Sequence, residues 1–176
     1  MKNTAIFQLS SRYQIAQSLV ILAATMILPV LIHLFPNING NLSGAVLLPI
    51  FWAPLVATFL FKKHVAIFAG IFAPLLNYLI MGRPAPEMVV TLGFEVVLFV
   101  LVLSWIKDLK GIKYIAAPLA YLAISFVVAM GLSVLGNLVD PVSFWINSTM
   151  IAIPGILLMG VINLIIIRFR KLISLI

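Results

Sequence analysis

The feature that most constrains this chain is a series of uninterrupted apolar runs, each roughly 18 to 22 residues long, separated by short polar breaks. An α-helix of that length rises about 30 Å, the thickness of a bilayer's hydrocarbon core. Lipid offers no partner to backbone N–H and C=O groups, so a chain crosses it only as helices or as a closed barrel. Barrel strands are short and alternate apolar with polar residues, and these runs do not alternate. Composition points the same way. Of the 176 residues, 64% are hydrophobic and 9% charged, against about half and about a quarter in a soluble domain. The expectation is an all-α integral membrane protein made of a single transmembrane domain over residues 1–176.

The breaks divide the chain into six predicted spans, at about 14–35, 44–61, 65–81, 87–106, 114–135 and 144–167. Pro36-Asn37-Ile38-Asn39-Gly40-Asn41 is a loop-forming cluster after the first span. Lys62-Lys63-His64 separates the second from the third. Gly82-Arg83-Pro84-Ala85-Pro86 ends the third, because two prolines prevent the helix from continuing. Glu87 then suits a helix N-terminus, where the dipole favours negative charge. Residues 107–113 form a charged connector, and 136–141 form the last turn. Pro29, Pro49, Pro54, Pro74, Pro118 and Pro154 fall inside the predicted spans and suggest kinks, tolerated where neighbours satisfy the freed backbone.

A net charge of +7 could suggest nucleic acid, yet the basic residues sit at the ends of apolar runs and no basic, polar-faced segment exists. With six spans, all of the 11 Lys and Arg residues except Arg83 fall on one side of the membrane. That asymmetry is the positive-inside signal and places both ends of the chain in the cytoplasm. No cysteine is present, which excludes disulfides, thiolate catalysis and cysteine-ligated metals. The first apolar run is of full span length and lacks a small-residue cleavage pattern, so it reads as a span rather than as a cleavable signal.

This orientation sorts the polar residues by side. The outward loops and outer helix ends carry His33, Asn37, Asn39, Asn41, Arg83, Glu87, Asn137, Asp140, Trp145, Asn147 and Ser148, with Asn77 and Tyr78 about one turn inside. Glu95 lies about 12 Å below the outer end of the fourth span. A carboxylate so deep is costly and normally faces a protein interior or a cavity. Glu87, Thr91 and Glu95, spaced by four, form one stripe on that helix. The stripe reads either as a ligand site or as a structural hydrogen bond to a neighbouring helix. Arg83 reads either as part of a rigid outer turn or as a partner for an anionic group. Trp145 reads as an interfacial anchor or a stacking platform. The candidate substrate-binding residues are therefore Asn37, Asn39, Asn77, Tyr78, Arg83, Glu87, Glu95, Trp145 and Asn147. His33 has no second histidine at ligand spacing, and neither a metal site nor a cofactor is expected.

Ala66, Ala69, Gly70 and Ala73 on the third span have the small-residue spacing that lets helices approach closely in lipid. No zinc motif, nucleophile elbow, phosphate loop or ATPase motif is present. Uphill transport would therefore need an ion gradient or a partner subunit.

Residues 47–105 resemble the substrate-binding S components of energy-coupling factor (ECF) vitamin transporters. The similar elements are Leu48-Pro49 to Ala53-Pro54, Ala73-Pro74-Leu75-Leu76 followed by Tyr78, the Gly82-Arg83-Pro84 turn, and Glu95. Size, six spans and cytoplasmic termini also match. The resemblance implies a subunit of the prokaryotic cytoplasmic membrane that captures a vitamin or related micronutrient at the outer face. It would act with a transmembrane coupling subunit and two cytoplasmic ATPases. It also implies that Ala66, Ala69, Gly70 and Ala73 dock the coupling subunit, although the first span shows no clean small-residue pattern. The alternative is a non-transporting membrane scaffold, such as the six-span subunit of a cell-wall elongation complex. A membrane enzyme using Glu87 and Glu95 as an acid–base pair ranks lowest, since no nucleophile or metal set accompanies them.

Overall fold

The structure is a computed structural model that describes residues 11–82, 84–136 and 138–173, the side chains of 11–13, 81 and 171–173 excepted. Its elements are α1 (Ser11–His33), α2 (Ser43–Leu47), a 3₁₀ turn (Pro49–Phe51), α3 (Trp52–Leu60), α4 (Lys63–Met81), α5 (Pro86–Ile106), a second 3₁₀ turn (Ile112–Ile115), α6 (Ala116–Val134) and α7 (Pro141–Ile173). Among the described residues there is no strand, only an isolated bridge between Ile38 and Asn41. Five helical segments are long and apolar enough to cross a membrane: Gln14–His33, Lys63–Ile80, Pro86–Ile106, Ile112–Val134 and Pro141–Arg170. These account for five of the six predicted spans. Large apolar side chains on their outer faces are exposed, as lipid-facing positions require.

The predicted second span is not one helix. It breaks at Leu48, whose backbone is left-handed at φ 55° and ψ 43°, leaving only Pro49–Leu60 as a shorter apolar helix. The cause is local. Pro49 has no N–H for the helical ladder, and its ring drives the preceding residue out of the right-handed region. A left-handed non-glycine residue costs about 1–3 kcal/mol and persists only where its surroundings hold it. Here they do. The Trp52 indole N–H donates to the Leu47 carbonyl at 3.1 Å. Ser43 Oγ donates to Ile32 O at 2.8 Å, tying the start of α2 to the end of α1. The His33 imidazole lies over Gly44, where a β-carbon would collide with the ring.

Gly155 on α7 meets the break from the other side. A β-carbon there would lie 2.7 Å from Leu47 C and 2.8 Å from both Leu47 O and Val46 O. The obstructing atoms are backbone and cannot rotate away.

Of the six prolines expected to kink spans, only Pro29, Pro74 and Pro154 lie inside helices. Pro49 opens the 3₁₀ turn, and Pro54 and Pro118 occupy first turns of α3 and α6, where the N–H has no helical partner anyway. Helix α7 is longer than its predicted span, about 50 Å over 33 residues. Asp140 starts it as an N-cap. The Ser143 N–H donates to Asp140 Oδ1 at 3.0 Å and holds that carboxyl below the ordinary aspartate range.

Packing follows from small residues. Helix α4 runs against α1 and α5, and α6 against α7. Ala66, Ala69, Gly70 and Ala73 are buried inside the chain. At the α4–α5 crossing, Gly70 faces Val96 and Gly93 faces the Gly70 carbonyl. The four residues expected to dock a partner are thus spent on internal contacts and offer no outer surface. At the centre, Phe51 makes edge contacts with Phe99 at 5.1 Å and Tyr121 at 5.3 Å, joining the broken segment to α5 and α6.

The two ends of the bundle differ chemically. At one, Lys107 Nζ donates to Thr58 O at 2.6 Å, satisfying an end carbonyl of α3. Arg170 pairs with Asp108 at 3.6 Å, and Lys107 and Arg170 both lie within 6 Å of the Phe59 ring, at 5.7 and 5.9 Å. Burial lowers the pKa of Lys107 from the ordinary lysine value. The Asp108 charge opposes that shift and the Arg170 charge reinforces it. Buried Asn163 donates to the carbonyls of Lys113 and Tyr114, each at 2.9 Å, and fixes the second 3₁₀ turn to α7. Basic residues therefore converge where α3, α5 and α7 end, whereas the opposite end carries Glu87 and Asp140.

Two expected outcomes follow from these contacts. Gly155→Ala lowers the thermal unfolding midpoint in detergent by an overpacking cost of about 1–3 kcal/mol, whereas Gly131→Ala, which meets nothing within 4 Å, leaves it unchanged or slightly raised. Asn163→Leu strips two carbonyls of their donor and destabilises by about 1–3 kcal/mol; an unchanged midpoint would show that water replaces the amide.

Candidate functional site

The end of the bundle opposite the basic cluster contains a cleft of about 590 Å³, within the range of small-molecule sites. Four elements wall it, each through helical spacing. Helix α5 contributes Glu87, Met88, Thr91, Leu92 and Glu95; α6 contributes Tyr121, Ser125, Val128 and Leu132. Helix α7 contributes Phe144, Trp145, Ser148 and Ile151, and the broken segment contributes Ala45 and Leu48. Residues three and four apart fall on one face of a helix, so each helix presents a continuous strip. The stripe of Glu87, Thr91 and Glu95 descends about 6 Å per step. Glu87 is exposed at the mouth, and Glu95 is half-buried further in.

The hydrogen bonds inside the cleft are partly committed. Trp145 Nε1 donates to Ser125 Oγ at 3.0 Å, joining α7 to α6. Ser125 Oγ in turn donates to Leu122 O at 3.1 Å. Trp145 also stands edge-on to Phe126 at 5.3 Å. Thr91 Oγ1 reaches back to the Glu87 carbonyl at 3.4 Å. Among the described residues, neither the Glu87 nor the Glu95 carboxylate has a hydrogen bond or ion pair. Among the described residues, no Lys, Arg or His lines the cleft. Among the described residues there is also no group of three His, Asp or Glu side chains able to hold a metal ion.

The structure brings together only some of the residues selected from sequence. Glu87, Glu95 and Trp145 line the cleft. Asn39 instead lines a smaller hollow of about 300 Å³ beneath the α1–α2 loop, with Asn41, Val46, Met150, Ile151 and Pro154. Ile151 belongs to both cavities. Asn39 also has a conformational task. With φ of 50° and 79°, Asn39 and Gly40 form the two-residue turn that closes the Ile38–Asn41 bridge, and Asn-Gly is the favoured pair for that geometry. Asn37 and Asn147 are exposed and line neither cavity. Asn77 is buried in α4, its Oδ1 lacking a hydrogen-bond partner, and Tyr78 beside it is half-buried outside the cleft. Arg83 lies outside the described residues.

Leu48, Tyr121, Ser125 and Ser148 are among the lining residues not selected from sequence. Tyr121 and Ser125 stand four apart on one helix, a signal obscured because Ser125 also fits a small-residue packing motif. Comparison of the chain with protein-family models, curated proteins and solved structures finds no match.

Because the chain has no cysteine, single cysteines can map the cleft without background. Thr91→Cys and Ser148→Cys are expected to react with a water-soluble methanethiosulfonate in intact membranes, whereas Val127→Cys, on the outer apolar face of α6, stays unlabelled. Equal labelling at all three would mean that water does not distinguish the cleft from the lipid face.

Proposed function

We propose that the protein is a substrate-binding membrane subunit, taking up a small organic molecule in the cleft between α5, α6 and α7 at the outer face of the bilayer. One observation carries this reading: a cavity of about 590 Å³ at the pole opposite the basic cluster, walled by two carboxylates with no described partner, a tyrosine and a tryptophan. A purely structural acidic residue in a bundle is normally hydrogen-bonded or paired, and these acids instead border open space. In this reading the chain crosses six times, the second crossing being the broken segment from α2 to α3. The basic pole faces the cytoplasm, together with both chain ends.

The finer reading is an S component of an ECF-type importer. It would bind a vitamin-like ligand and be driven by a transmembrane coupling subunit and two cytoplasmic ATPases. The resemblance of residues 47–105 supports it, and so does the lack of any ATPase motif in the chain. With Ala66, Ala69, Gly70 and Ala73 turned inward, a coupling subunit would have to dock on another face.

Native mass spectrometry of protein released from detergent tests the binding role, with Glu95→Gln measured beside the parent chain. A stoichiometric small molecule on the parent, reduced or lost in the variant, is the expected result. A chain that stays empty after incubation with cell extract, with both forms equally stable, would turn the reading toward a scaffold.

A further inference from the structure

Resting on the reading of the cleft as a ligand site, we propose that its ligand is an organic cation: a protonated amine, amidine or aza-aromatic group on a flat, largely apolar body. The inference comes from the hydrogen-bonding capacity left over in the cleft. Trp145 has a single N–H, and it is committed to Ser125. Ser125 has a single O–H, and it is committed to Leu122 O. What remains is the four carboxylate oxygens of Glu87 and Glu95, all acceptors, beside the hydroxyls of Tyr121 and Ser148. Among the described residues no basic side chain is in the lining, so a ligand carboxylate or phosphate would face the Glu87 and Glu95 carboxyls with the Tyr121 and Ser148 hydroxyls as its donors. A cation meets complementary charge at both levels, at Glu87 in the mouth and at Glu95 below.

A metal ion does not fit the same facts. The two acids stand about 12 Å apart along α5, too far to share one ion, and the described residues hold no third ligand. An organic cation uses the rest of the lining as well. Tyr121 and Trp145 add aromatic rings to the lining, groups whose π-systems attract positive charge. Leu48, Val128 and Leu132 offer apolar area to the ligand's body.

The test uses three probes of nearly the same shape, benzamidinium, benzamide and benzoate, titrated at constant ionic strength against the full chain in lipid nanodiscs and followed by tryptophan fluorescence and thermal stabilisation. Benzamidinium is expected to bind saturably and about tenfold or more tighter than benzamide, the size of a charge-assisted hydrogen bond, with benzoate weakest. Glu95→Gln should abolish the preference for benzamidinium over benzamide, and Glu95→Asp should retain part of it. A role of Glu95 in packing alone would alter the melting temperature in both variants without changing that ratio. Benzamide or benzoate binding as tightly as benzamidinium, with Ser148→Trp still blocking it, would overturn the cation and leave the cleft as a ligand site. No binding by any of the three, together with an empty native mass spectrum, would overturn both.

Discussion

A helix that stops inside a membrane must hand its backbone hydrogen bonds to something other than water, and the rest of this structure is arranged around one such stop. Pro49 removes an N–H from the helical ladder and disfavours the right-handed region at Leu48, which is left-handed here. The neighbours then satisfy or shield what the break exposes. The Trp52 indole takes the Leu47 carbonyl, and α7 comes close enough at Gly155 to touch the Val46 and Leu47 backbone. Remove the break, and a straight helix would carry Ala45 and Leu48 away from α5 and α6. Ala45 and Leu48, at the break, form one wall of the cleft.

The same break separates two kinds of chemistry along the bundle axis. Below it, Phe51, Phe99 and Tyr121 form an aromatic knot with Val96, Val100 and Leu103 buried nearby. Here apolar packing and small residues hold the helices together. Above it the walls part and the polar stripe of α5 begins. At the far end, Lys107 and Arg170 gather on Phe59 and on the carbonyl end of α3, where a helix dipole favours positive charge. At the opposite pole, Glu87 and Asp140 stand at the N-terminal ends of α5 and α7, where the dipole favours negative charge.

Much of this order was legible in the sequence, for a definite reason. Five spans announced themselves because lipid enforces apolar composition over a whole helix, and a few lysines at the right intervals marked their ends. Glu95 was legible because a carboxylate so deep in an apolar run contradicts its surroundings. The second span was harder to read. A run of apolar residues looks the same whether it is one helix or two pieces, and Leu48-Pro49 signals a break only through the restriction that proline places on its neighbour. The alanine and glycine stripe of α4 was visible too, but spacing does not say whether small residues meet a partner or the chain's own helices. The outer asparagines were least informative. Asn39 sits where it does for its backbone as much as for its amide, and Asn37 and Asn147 face outward. Tyr121 stayed hidden because a single tyrosine in an apolar helix carries no contrast until a neighbouring helix supplies a carboxylate.

The walls of the cleft are unequally supported. Helix α2 has only five residues, too few to be stable alone, and it depends on contacts to α1 through Ser43 and His33 and to α7 through Gly155. Its residues face both cavities, Ala45 toward the cleft and Val46 toward the hollow under the loop. The walls from α5, α6 and α7 are long helices anchored at the basic pole. Any change in the width of the mouth therefore falls on α2 and its strained junction, the one wall not built into a continuous span. A ligand that filled the cleft would press on that junction directly. Leu48 lies between the cleft it lines and the backbone that leads, through Phe51 and α3, to Thr58 and the Lys107 contact at the other end.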